Sequence, residues 1–125
     1  MEEGFPMEKY LRTYAKIDLD AVLHNIDEIK RRIGQHVKIM AIIKANAYGH
    51  GATVLGDFLE NEVDYYGVAT IEEAMELRDV GIKLPILILG YTSPSQYLTL
   101  VENDITQTVY SIKMAEEMSK AGAIL

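Results

Sequence analysis

Lys44 closes the apolar run at residues 37–43 and is followed by Ala-Asn-Ala-Tyr-Gly-His-Gly, residues 45–51. Amines held where water is scarce are the ones that attack aldehydes and form Schiff bases. The competing reading is a lysine that ends a strand and snorkels its ammonium into solvent. The neighbours weigh against it. Asn46, Gly49 and Gly51 permit a tight turn or a close backbone approach to a ligand, and Tyr48 brings a hydroxyl into the same short loop. His50 shares that loop, where a contact to backbone or to a residue behind the site, rather than proton transfer, is its expected role. His24, beside Asn25 in a helical stretch, and His36, in a turn, are expected to face solvent. Three histidines this scattered, with no spaced carboxylate set, make no metal site. Glu2 and Glu3 read as solvated charge, and Glu72 with Glu73 as capping. Met114 and Met118, at i and i+4, read as core packing.

The elements that place these residues follow from hydrophobic spacing. "DAVLHNIDEIKRRIG" sets Val22, Ile26, Ile29 and Ile33 on one helical stripe, with Asp20 as N-cap and Gly34 as stop. "VKIMAII" is apolar on both faces and predicts a strand covered on both sides. Its alternation places Met40, Ile42 and Lys44 on one face and Ile39, Ala41 and Ile43 on the other. A helix over residues 52–60 and a strand in "VDYYGVA" come next. "TIEE" is a capping box that opens a helix stopping near Gly81, and "PILILG" is a third strand. Ser93 as cap and Pro94 at the first helical position start another helix. "ITQTVY" is the fourth strand, and Ser111 opens a helix ending near Gly122. An initial helix followed by four strand and helix units makes an α/β fold with a parallel sheet. Two architectures are open: a small doubly wound sheet, complete at this length, or the first half of an eight-stranded barrel. In both, ligands bind at the carboxyl edge of the strands, where Lys44 stands.

Composition narrows the partners. The chain has 125 residues, 49% of them hydrophobic and 25% charged, which suits one globular domain. A net charge of -7 repels phosphate backbones and anionic lipid, so a small molecule is the expected ligand, with no nucleic acid and no membrane. The absence of cysteine removes disulfides and thiolate metal sites, in keeping with a cytoplasmic, reducing setting. Residues 1–13 read as a leader. They lack the basic region and apolar core of a secretory signal.

"KANAYGHG" resembles the signature of alanine racemases, and "AKIDLDAVLHNI", "VDYYGVATIEEAMELRDVGI" and "PILILGYT" resemble that family's opening half. The resemblance covers the chain from Tyr14 onward and implies a (β/α)8 barrel of the triosephosphate isomerase type, with about the first four β/α units at residues 14–125. It implies pyridoxal 5'-phosphate as cofactor, a small amino acid as substrate and a homodimer supplying D-alanine for peptidoglycan. Carried over by position, Lys44 is the Schiff-base and acid/base residue, and Tyr48 bonds the cofactor phosphate. The family's second base, its arginine at the pyridine nitrogen and most of its phosphate site lie in parts of the family's chain that this sequence does not match. These residues alone are therefore expected to be inactive and to bind the cofactor weakly. The edges of the first and fourth strands are expected to be open until a second copy, the remainder of the barrel or a rearranged sheet covers them. "ILGYTSP" and "ITQTV" also resemble serine racemases linked to vancomycin resistance. A non-catalytic pyridoxal phosphate barrel protein and a small open-sheet interaction domain are the other readings.

Overall fold

The computed structural model describes residues 12–123, so nearly all of the expected leader lies outside the described residues. Asp18, in extended conformation, caps α1 (Leu19–Ile33) by accepting the Ala21 amide at 3.0 Å. The expected cap, Asp20, lies within the first turn instead, where its charge faces the positive end of the helix. The helix starts earlier because Leu19 already packs against the core. Gly34, at φ 78°, ends it as expected. Only Val22 and Ile26 of the predicted stripe pack inward; Ile29 and Ile33 are exposed. Lys30 ties the helix to Glu62 at 2.7 Å, a surface pair that contributes about 1 kcal/mol or less.

The remaining elements alternate as read from the sequence: β1 (Met40–Ile42), α2 (Ala52–Leu59), β2 (Tyr65–Val68), α3 (Ile71–Asp79) and β3 (Ile86–Ile88). A 3-10 turn (Pro94–Gln96) then leads into α4 (Tyr97–Glu102), followed by β4 (Ile105–Gln107) and α5 (Ile112–Gly122). Thr70 and Ser111 cap α3 and α5 through their hydroxyls. Ser93 does not cap; its hydroxyl pairs with that of Ser95 at 3.1 Å. The strands are shorter than the apolar runs because side chains replace the ladder at their ends. Ile39 donates its amide to the Asp64 carboxylate at 2.7 Å, for example.

All pairings are parallel, and the sheet runs β1-β2-β3-β4 in chain order. A doubly wound sheet reverses its order at a switch point, and this one does not. It is wound in one direction, as the first part of a barrel is. Burial agrees. Tyr66, Val68, Ile86 and Ile88 are 1% exposed or less and share a core with Leu55, Leu59, Ala74, Leu77, Leu100 and Met114 of the helices. The other face is open: Met40 and Ile42 are 37% and 38% exposed. Gly67 belongs to that face, since a Cβ built on it would lie 2.5 Å from Ile42 Cδ1 and 3.2 Å from Met40 Sδ. The expectation that β1 is covered on both sides is thus corrected to one. The open face is the one that a closed barrel fills with side chains from its other strands. β1 and β4 are the edges, each with one unpaired side in this sheet. Among the described residues no helix is long and apolar enough to cross a membrane.

Candidate active site

β1 delivers the chain to the carboxyl edge of the sheet. Ile43 still donates its amide to the Gly67 carbonyl at 2.9 Å, but its ψ of 24° has left the extended range. The alternation that would set Lys44 on the face of Met40 and Ile42 therefore ends one residue before it. From Ala45 to Tyr48, four consecutive residues have φ between 51° and 55°, a single turn of left-handed helix. Such a turn costs an L-residue about 1–2 kcal/mol, least for asparagine. Gly49 and Gly51, at φ 89° and 95°, carry the chain out of it.

Hydrogen bonds offset the strain. Ala47 N–H reaches the Ile43 carbonyl at 2.9 Å, and Gly51 N–H reaches the Asn46 carbonyl at the same distance. The Asn46 side chain accepts the Ala52 amide at 2.8 Å, which caps α2 where Gly51 has no side chain to do so. The Ala47 methyl is buried, and His50 Nδ1 donates to the Ala47 carbonyl at 3.0 Å, the backbone form of the two contacts expected of it.

The loop is also held from outside. Thr70 Oγ accepts the Glu73 amide at 3.3 Å, but the Glu73 carboxylate does not return to the Thr70 amide as a capping box would have it. One oxygen accepts the Ala69 amide at 2.7 Å and the other crosses to the Ala45 amide at 2.8 Å. The sequence reading saw only a cap. The signal that could have revealed the crossing is the register: Ile42 pairs with Gly67, so continuing by two and three residues brings Lys44 level with Ala69 and Ala45 level with Thr70.

Lys44 is half-buried and Tyr48 is 62% exposed. Neither its amine nor its phenol has a hydrogen-bond or ion-pair partner among the described residues. The structure thus brings the two predicted site residues into one loop. His24 and His36 are exposed and lie outside that loop. At the ends of β3 and β4 a buried polar pair went unpredicted. Thr92 Oγ1 donates to Gln107 Oε1, and Gln107 Nε2 donates to the carbonyls of Gly90 at 2.7 Å and Thr108 at 2.9 Å. Among the described residues no three His, Cys, Asp or Glu side chains converge as metal ligands would.

The fold and this edge define a segment of a parallel barrel whose first strand ends in a lysine set before a strained turn. Residues 17–124 match the family described as alanine racemase, N-terminal domain, and the chain belongs to it. It is 59% identical over 109 residues to alanine racemase 1 of Caldanaerobacter subterraneus subsp. tengcongensis, covering 86% of this chain and 28% of that one. Alanine racemase of Clostridium difficile 630 superposes with a TM-score of 0.88 at 42% identity, over 92% of this chain and 31% of that one. Histidine racemase of Leuconostoc mesenteroides subsp. sake superposes with a TM-score of 0.73 at 31% identity, over 83% of this chain and 28% of that one. The chain therefore spans under a third of the length of these relatives.

Proposed function

We propose that this chain supplies the lysine-bearing part of a pyridoxal phosphate-dependent amino-acid racemase, acting on alanine. The observation that supports it is Lys44: a half-buried amine with no partner among the described residues, at the carboxyl edge of β1, in a chain of this family. An unpaired amine and an unpaired phenol in one loop fit a group that presents an aldehyde and a phosphate. When bound, that cofactor supplies the aldehyde and an electron sink for the substrate's α-carbon. Lys44 Nζ would hold that aldehyde and would serve as the group that takes or returns a proton at the substrate Cα. The Tyr48 hydroxyl would donate to the phosphate. The turn between them fixes the spacing of the two backbone positions that carry these groups. Racemisation needs a second base on the opposite face. We assign it to a part of the relatives' length outside this segment, so the 125 residues alone are inactive and bind the cofactor weakly. The assembled enzyme is a cytoplasmic homodimer that supplies D-alanine for peptidoglycan.

The histidine racemase neighbour supports a second reading of the substrate: the same scaffold at 31% identity serves a different side chain. Serine in place of alanine, as in the racemases linked to vancomycin resistance, is the form of that reading suggested by "ILGYTSP". The test common to both is to mix the chain with pyridoxal phosphate, reduce with borohydride and map the modified lysine by peptide mass spectrometry, with Lys44→Ala as control. Selective modification of Lys44 among the eight lysines is expected. Uniform modification of all of them, or none, would overturn the assignment.

A further inference from the structure

We infer that Glu73 is the positioning residue of this site, holding the backbone around Lys44 so that its amine stands at one fixed place on the sheet edge. The inference rests on the reading of Lys44 given above. The left-handed turn does not hold its own beginning: its internal hydrogen bonds start at the Ala47 amide, two residues beyond Ala45. The Ala45 amide, one peptide bond from Lys44, is held instead by Glu73 at 2.8 Å. The same carboxylate holds the Ala69 amide at 2.7 Å, just past the end of β2. One side chain thus clamps the ends of the two adjacent strands at the level where both leave the ladder.

The clamp is mounted on a rigid part. Glu73 lies in the first turn of α3, where the helix dipole favours a carboxylate, and its own amide is fixed by Thr70. α3 buries Ile71, Ala74 and Leu77 in the core. Strained backbone persists only where its surroundings over-determine it. Here the over-determination comes from a helix, which places a functional group more closely than a loop does. A simple capping role is the alternative. It accounts for the bond from the Glu73 amide to Thr70 but not for either bond made by the carboxylate.

Glutamine at this position offers one oxygen to two N–H donors and points its NH2 at the other. Aspartate keeps the charge but is one methylene too short to span both. The test uses the whole 125-residue chain with two readouts: hydrogen exchange of the Ala45 amide without cofactor, and the pyridoxal phosphate concentration that half-modifies Lys44 under borohydride. Glu73→Gln and Glu73→Asp are expected to speed Ala45 exchange and raise the half-modifying concentration by about tenfold or more, as losing a charge-assisted bond implies. The other seven lysines should not change. Thr70→Ala is the control. It removes the α3 cap but not the carboxylate bonds, and should leave Lys44 modification within about twofold of wild type.

Unchanged Ala45 exchange in Glu73→Gln, or a loss of Lys44 modification no greater than in Thr70→Ala, overturns the inference. Absence of selective modification in the wild-type chain overturns the functional reading and this inference with it. That outcome is distinct from normal wild-type modification that Glu73→Gln leaves intact, which overturns this inference alone.

Discussion

Asn46 does two jobs that substitution can separate. Its backbone sits at φ 53° and ψ 46°, and its side chain accepts the Ala52 amide at 2.8 Å. Aspartate keeps both the tolerance of left-handed backbone and the acceptor oxygen, so Asn46→Asp should be neutral within about 0.5 kcal/mol. Glycine keeps the backbone freedom but loses the acceptor, which is equivalent to removing a helix cap and costs about 1 kcal/mol. Alanine loses the acceptor and adds the left-handed penalty of about 1–2 kcal/mol, for a total of about 2–3 kcal/mol. Urea unfolding of the variants, followed by far-ultraviolet circular dichroism and fitted with a shared slope, measures the three differences. The order Asp, Gly, Ala, with Ala at least about 1 kcal/mol below Gly, is the expected result. Equal losses for Gly and Ala would refute the argument, because they would mean that the left-handed turn carries no strain.

Gly90→Ala should cost about 3 kcal/mol, since the added Cβ collides with the Ala69 carbonyl oxygen, which is backbone and cannot rotate away. Gly67→Ala meets only the ends of the Ile42, Met40 and Leu89 side chains and should cost less than about 1 kcal/mol; similar losses in thermal unfolding for the two would refute the distinction. Burial pushes the Tyr66 phenol above the ordinary tyrosine range, with the charges of Glu60 and Asp57 adding to it. Its folded-state pKa is raised, so its contribution to stability is complete below a pH of about 10 and is lost as pH rises beyond that. Tyr66→Phe, which removes the 2.6 Å bond to the Gly56 carbonyl, should cost about 1–2 kcal/mol at neutral pH and flatten the alkaline loss of stability. An unchanged alkaline slope in this variant would assign that loss to other groups.

The order of elements was legible because it depends on local spacing. Thr70 and Ser111 cap the helices they were expected to cap, Gly34 stops α1, and the four apolar runs each contain a strand. Where the reading missed, the deciding contact lay elsewhere in the chain. Asp18 rather than Asp20 caps α1 because Leu19 is drawn to a core built by later elements. Ile29 and Ile33 have the spacing of a buried stripe but no layer beneath them. Glu73 was legible as a cap from three residues of local sequence, while its bond to Ala45 joins residues 28 positions apart. Thr92 and Gln107 carry no periodic signal, since nothing in a polar side chain's neighbours says that it will be buried against another one. In the loop itself, the residue types that permit a left-handed turn were visible at Asn46, Gly49 and Gly51. That Ala45, Ala47 and Tyr48 adopt it as well was not, because none of them favours it.

The edge that bears Lys44 is organised by a general requirement. When strands leave a ladder their amides and carbonyls still need partners, and loops seldom supply them in register. Here side chains do so pairwise. Glu73 takes amides beyond β1 and β2, and Gln107 donates to carbonyls beyond β3 and β4, with the Tyr110 hydroxyl adding a bond to the Leu89 carbonyl. Four strand ends are thus fixed by two polar clamps rather than by continued pairing. This allows the strands to be short and the loops above them to differ in shape while the level of the edge stays constant. It also concentrates sensitivity. A clamp that loses one polar atom leaves two backbone groups competing for what remains, so damage at Glu73 or Gln107 reaches the loops without any change in the loops' own sequence. Residues that govern the place of the Lys44 amine are therefore to be sought where strand ends meet helix starts, and not only among the residues that follow the lysine in the chain.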